Sequence, residues 1–131
     1  MHGPSYHYTA FCAGCAGGPA CTIVSKGAQQ TARSDFGLNT AAAVLEFVAE
    51  GGLESPSFIS SSVWLNNPDP ANTIMVDSYD FHSGPTLYGY IAFLKAPTGK
   101  WLIKSFKKND KPDPRPNLMH AALLKAGLIA A

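Results

Sequence analysis

A chain of 131 residues, 46% hydrophobic and 15% charged, has the composition of one ordinary globular domain and not of a disordered chain. No run approaches the ~20 apolar residues of a membrane span, and the opening MHGPSYHYTAF lacks the basic and continuous apolar regions of a signal peptide. The net charge of +1 hides an asymmetry: residues 1–94 carry Lys26 and Arg33 against seven acids, whereas residues 95–131 carry eight basic groups against Asp110 and Asp113. Such a basic third suits a polyanion, an acidic partner or the acidic part of the same chain.

In chain order, Ser5–Phe11 alternates loosely, as a short strand does, and runs into the Gly-rich turn CAGCAGGPAC. Cys12, Cys15 and Cys21, with His7 nearby, present the ligand types of a zinc site but lack a second clean ligand pair. Alternatively Cys12 or Cys15 is a nucleophile activated by His82 or His120, or the thiols are simply small buried hydrophobes. An odd cysteine count favours a reducing, cytoplasmic setting.

Ala20–Val24 predicts a short strand and Lys26–Arg33 a turn or two of helix. Asn39 or Thr40 caps a better helix, AAAVLEFVAE, which Gly51–Gly52 ends. Strands follow at Phe58–Leu65, Thr73–Phe81, Thr86–Lys95 and Trp101–Lys107, separated by NNPDPAN, HSGP and APTG. A proline-rich loop, DKPDPRP, leads to a closing helix from Pro116–Asn117 to Gly127. The expected fold is a single α+β domain over 1–131. An antiparallel meander of about four strands packs against an N-terminal and a C-terminal helix.

If APTG closes a regular hairpin with Lys95 opposite Lys100, Tyr88 faces Lys107 and Tyr90 faces Ser105. The same reasoning at HSGP sets Tyr79 opposite Tyr88 and Asp77 opposite Tyr90, with His82 and Ser83 at the adjoining turn. Leu87, Ile91, Phe93, Leu102 and Phe106 then form the floor for the helices, and Lys104 interrupts it. A lysine beside a tyrosine can stabilise a phosphate anion and assist proton transfer, with His82 as a second acid or base. Tyrosine faces can stack on unpaired bases.

The stretch DSYDFHSGPTLYGYIAFLKAPTGKWLIKSFKKN resembles the closing meander of MqsR-type messenger-RNA interferases, which end in a D-x-Y strand, a tyrosine-bearing strand and a strand of the form L-I-V-S-F-K. TARSDFGL, the helix after it and PSFISSS follow that family's order, and WLIKSFKKNDKPDPRPNLMHAALLKAGL is similar to the end of RelE/ParE-like toxins. The resemblance implies a metal-independent endoribonuclease toxin or effector that needs no cofactor, acts on RNA and is neutralised by an antitoxin or immunity protein. It puts the catalytic tyrosine at Tyr88 and the catalytic lysine at Lys107, with His82, Tyr79 and Tyr90 as accessories. Lys104, Lys108, Lys111 and Arg115 would hold the RNA backbone. Ser60 and Val76 stand where that family carries a lysine and a glutamine. A cysteine hydrolase or deamidase, and a non-catalytic protein docking a partner through its basic end, are the competing readings.

Overall fold

The computed structural model describes residues 3–65, 67–68, 71–84 and 87–111. Helix α1 spans Tyr8–Ala16, and a 3₁₀ turn at Gly18–Ala20 leads into strand β1, Thr22–Val24. Helices α2 (Lys26–Phe36) and α3 (Ala41–Ala49) follow, then strands β2 (Glu54–Val63), β3 (Met75–Ser83), β4 (Leu87–Lys95) and β5 (Trp101–Lys108). The strands form one sheet in the order β1-β5-β4-β3-β2, antiparallel except where β1 runs parallel to β5. The α+β class and the meander are therefore as expected, with a fifth strand added at one edge. The expected closing helix lies outside the described residues.

The α1 segment differs from the strand and turn expected there. Tyr8, Phe11, Cys12 and Cys15 recur at helical spacing, and this face, not the loose alternation before it, decides the structure. Phe11 and Cys15 are buried on the sheet. Helices α2 and α3 start at side-chain caps, with Ser25 Oγ accepting from the Ala28 N–H at 3.1 Å and Thr40 Oγ1 from the Ala43 N–H at 3.0 Å. Gly37, at φ 70°, ends α2 in the left-handed conformation, and Leu38 N–H then bonds back to the Ala32 carbonyl.

One face of the sheet carries Tyr79, Phe81, Ile91, Phe93, Trp101, Ile103 and Phe106 against the helices. Phe93 is its centre: Phe11 stacks on it at 3.7 Å between centroids, Tyr79 at 5.8 Å, and Trp101 meets it edge-on at 6.0 Å. Gly14 lets α1 come this close, because a methyl group there would fall 2.3 Å from Trp101 Cδ1. Gly89 similarly leaves room for the Phe81 ring, 2.3 Å from where its methyl would stand. The buried carboxylate of Asp77 holds the N-terminal segment to this face by accepting from the backbone N–H groups of Ser5 and Tyr6 at 3.0 and 2.9 Å.

The register differs from the expected one at both turns. Lys95 pairs with Trp101 and Phe93 with Ile103, but Ala92 pairs with Ser105, so a β-bulge leaves Lys104 without an opposite partner. Beyond it Tyr90, not Tyr88, faces Lys107. Across the other turn His82 faces Tyr88, Asp80 faces Tyr90 and Asp77 faces Phe93. Strand pairing continues through His82 and Ser83, which were expected to turn, and an odd slip sends Tyr79 and Asp77 to the helix side. Leu102, expected in the floor, packs on the opposite face with Ile74, Val76, Ala92 and Leu94.

At the far edge, β2 pairs with β3 through two irregularities, between Glu54 and Ser57 and between Phe58 and Ser60. Pro56 lies in the first of these, and Ser55 has φ 47°.

Two substitutions test this core. Phe11→Ala is expected to lower unfolding free energy by about 3–5 kcal/mol, and Gly14→Ala by about 1–3 kcal/mol through overpacking on Trp101. Denaturant melts of both, with Gly27→Ala as a control because nothing lies within 4 Å of its added methyl, check the α1–sheet contact.

Candidate functional site

The face away from α1–α3 carries the residues with chemistry. Direct pairing sets out its rows. His82 stands beside Tyr88, Asp80 beside Tyr90 and Lys107, and Ser60 beside Ser78, Ala92 and Ser105. Farther along come the apolar Val76, Leu94 and Leu102, with Ser62 at their edge. Polar and aromatic side chains thus gather at the β3–β4 turn end, serines in the middle and apolar groups at the other end.

The first two rows are cross-linked. The His82 ring stacks on Tyr88 at 5.1 Å between centroids and 25° between planes. Tyr88 Oη donates to Asp80 Oδ2 at 2.6 Å, a charge-assisted bond that fixes the phenol beneath the histidine. Lys107 Nζ lies 5.7 Å from the Tyr90 ring centroid and 3.3 Å from Asp110 Oδ2. Tyr90 and Lys107 are half-buried, so both present atoms to solvent while keeping defined neighbours. Tyr88 is buried, which suits support of His82 more than contact with a substrate.

The expected grouping of side chains on one face is met for four residues. Tyr88, Tyr90, His82 and Lys107 do share a face, although Tyr88 and Lys107 are diagonal neighbours and not an opposed pair. Tyr79 leaves the group: it packs against Tyr8, Phe58 and Phe93, where burial, then the Asp77 and Cys12 charges, push its phenol pKa up. Lys104, at the bulge, is exposed near the serines, and Lys111 lines a hollow with Lys107. Lys108 falls on the helix-side alternation opposite Gly89, and its N–H donates to Asp35 Oδ2 at 2.9 Å. Arg115 and His120 lie outside the described residues. Asp80 and Asp110 escaped the sequence reading. The signal for Asp80 was its place two residues before His82, on one strand face.

Among the described residues the cysteines do not assemble a second centre. Cys12 and Cys15 sit on α1 on the helix side of the sheet, and His82 is on the other side, so the proposed Cys–His pairing fails geometrically. Among the described residues no group of three His, Cys, Asp or Glu side chains is placed to hold a metal ion, which removes the reading of Cys12, Cys15, Cys21 and His7 as a zinc set. Burial raises the Cys12 thiol pKa against a lowering hydrogen bond with Tyr8. Burial, with Cys12 nearby, pushes Cys15 up to about 12 despite an opposing hydrogen bond with Thr22. These are conditions that keep a thiol protonated and inert. Among the described residues no helix is long and apolar enough to cross a membrane. Comparison with protein-family models, with curated proteins and with solved structures finds no match.

Because Cys15 ionises near 12 when folded and near 8.5 when unfolded, its contribution to stability is complete below the unfolded value and is lost as pH rises toward 12. The unfolding midpoint is expected to fall over that window, less steeply in Cys15→Ala. Iodoacetamide at neutral pH should label the exposed Cys21 of the native chain well before Cys12 or Cys15. Fast labelling of either helix thiol would contradict the burial that sets their pKa.

Proposed function

We propose that the chain is an endoribonuclease of toxin or effector type. It would cleave RNA on the face away from α1–α3 by acid–base chemistry of its own side chains, with no requirement for a metal. The observation that carries this reading is the placement of His82 and Lys107 on strands flanking β4, with Tyr88 and Tyr90 between them. Strands two apart in a sheet are separated by about 10 Å. That gap accommodates a phosphodiester over β4, with a base–acid group on one side and an ammonium on the other.

In the proposed reaction the ribose 2′-oxygen attacks the adjacent phosphorus while His82 takes the 2′-hydroxyl proton. The Lys107 ammonium neutralises the charge that builds on the phosphoryl oxygens and donates a proton to the departing 5′-oxygen. The P–O5′ bond breaks as the P–O2′ bond forms, leaving a 2′,3′-cyclic phosphate and a 5′-hydroxyl. Tyr88, held by Asp80, supports His82 from below; Tyr90 carries Lys107 and offers a ring to an unpaired base. Asp110 restrains the ammonium when no substrate competes. A toxin of this kind would be held inactive by an antitoxin or immunity protein that covers the basic end.

Purified parent protein is expected to cut single-stranded RNA in the presence of a metal chelator and to leave cyclic phosphate ends. His82→Ala and Lys107→Ala should each lose about 10²–10⁴ of the rate, and Tyr88→Phe should lose less, through a displaced histidine. If well-folded Lys107→Ala cuts as fast as the parent, the assignment of roles is wrong. Binding of RNA or of an acidic protein without any cleavage would favour a non-catalytic docking function for the same surface.

A further inference from the structure

Tyr90 is the wall between two hollows on one face of the sheet. On one side Ser105, Lys107, Asn109, Asp110 and Lys111 line a depression of about 300 Å³. On the other, Ser60, Ser62, Ser78 and Lys104 line one of about 260 Å³, floored by Val76 and Ala92. The proposed cleavage chemistry draws Lys107 from the first and leaves the serines and Lys104 of the second unused. The second has the composition of an anion site with an apolar base. Ser60 and Ser78 are joined by a 3.0 Å hydrogen bond between hydroxyls, and Ser62 is exposed nearby. Lys104 is exposed and, unlike Lys107, forms no ion pair with a described residue.

The geometry points to this second hollow as a nucleotide subsite, in which Lys104 and the serine hydroxyls take a phosphate of single-stranded RNA and Tyr90 stacks the adjoining base. The inference rests on the ribonuclease reading and deepens it by giving the strand a path. Three residues of extended chain separate Lys104 from Lys107, or about 10 Å at the Cα atoms. Two lysines so spaced, with an aromatic ring between them, match a strand whose successive phosphates alternate with stackable bases. The bulge places both lysines on this face, although their numbering would separate them in a regular strand. The Ser78 hydroxyl donates to the Ser60 carbonyl at 3.3 Å and shares a bond with the Ser60 hydroxyl. A phosphate therefore takes its serine donor from Ser62 or by displacing one of these bonds, and most of the electrostatic attraction at this subsite is Lys104's.

Fluorescence anisotropy with a labelled 2′-O-methyl hexauridylate, which cannot be cleaved through its 2′-oxygen, reads binding apart from catalysis. Lys104→Ala is expected to weaken binding about tenfold and to reduce the slope of log affinity against log salt by about 0.7, the loss of one phosphate contact to a single strand. Tyr90→Ala should cost about tenfold or more, while Tyr90→Phe, which keeps the ring, should stay within about twofold. Lys100→Ala, at the β4–β5 turn, is the control for general charge and should change affinity by less than about twofold. If Lys104→Ala behaves like Lys100→Ala while the parent cuts RNA, the subsite is overturned and the ribonuclease reading stands. If the parent neither binds the hexanucleotide nor cuts RNA, both fall together.

Discussion

A single unpaired residue in β5 decides which side chains belong to which layer. In a regular β5, Trp101, Ile103, Ser105 and Lys107 would share one face and Leu102, Lys104 and Phe106 the other. The bulge at Lys104 changes the parity partway along, so Trp101, Ile103 and Phe106 all turn toward the helices. Ser105 and Lys107 turn away with Leu102. The core thereby gains a third large apolar side chain from this strand, and the distal face gains Lys107. Both layers would fail in a bulge-free strand, because Phe106 would leave the Phe36–Phe81 cluster and Lys107 would enter it.

The helix layer is held by ring packing, with one polar anchor. Phe11, Phe93, Tyr79 and Trp101 supply contacts that depend on α1 lying close to the sheet. Asp77 is fully buried in this apolar setting, and its charge is offset by two backbone donors from the N-terminal segment. It also raises the pKa of Tyr6, after the larger effect of burial and against a lowering backbone hydrogen bond at Lys95. The N-terminal segment is therefore part of the satisfaction of a buried charge.

Local signals made most of the fold legible. Thr40 before an alanine-rich apolar run, and apolar strands bounded by APTG or NNPDPAN, carry their structure in adjacent residues. Two things were less legible. The register depended on a bulge whose cause is tertiary, the burial of Phe106, and the only trace of it was Lys104 sitting where an apolar residue was wanted. The helix at Tyr8–Ala16 was masked by small residues that suit turns as well as helices. As for the site, the sharing of a face by Tyr88, Tyr90, His82 and Lys107 followed from strand alternation and survived the slip between β4 and β5. The membership of Tyr79 did not, because the slip at the other turn was odd and reversed its side.

The irregular β2 strand has a consequence for how the protein meets copies of itself. A sheet grows when a new strand finds a long flat edge with its amide and carbonyl groups in step. Among the described residues the outer strand at one edge, β1, is only three residues long, and the outer strand at the other, β2, is broken twice and carries a proline that cannot donate. Ile59 and Val63 are exposed on that edge strand, and the even stretch beyond the second irregularity is only Ser60–Val63. At the described edges it is geometry, more than the small net charge, that works against a further strand joining the sheet.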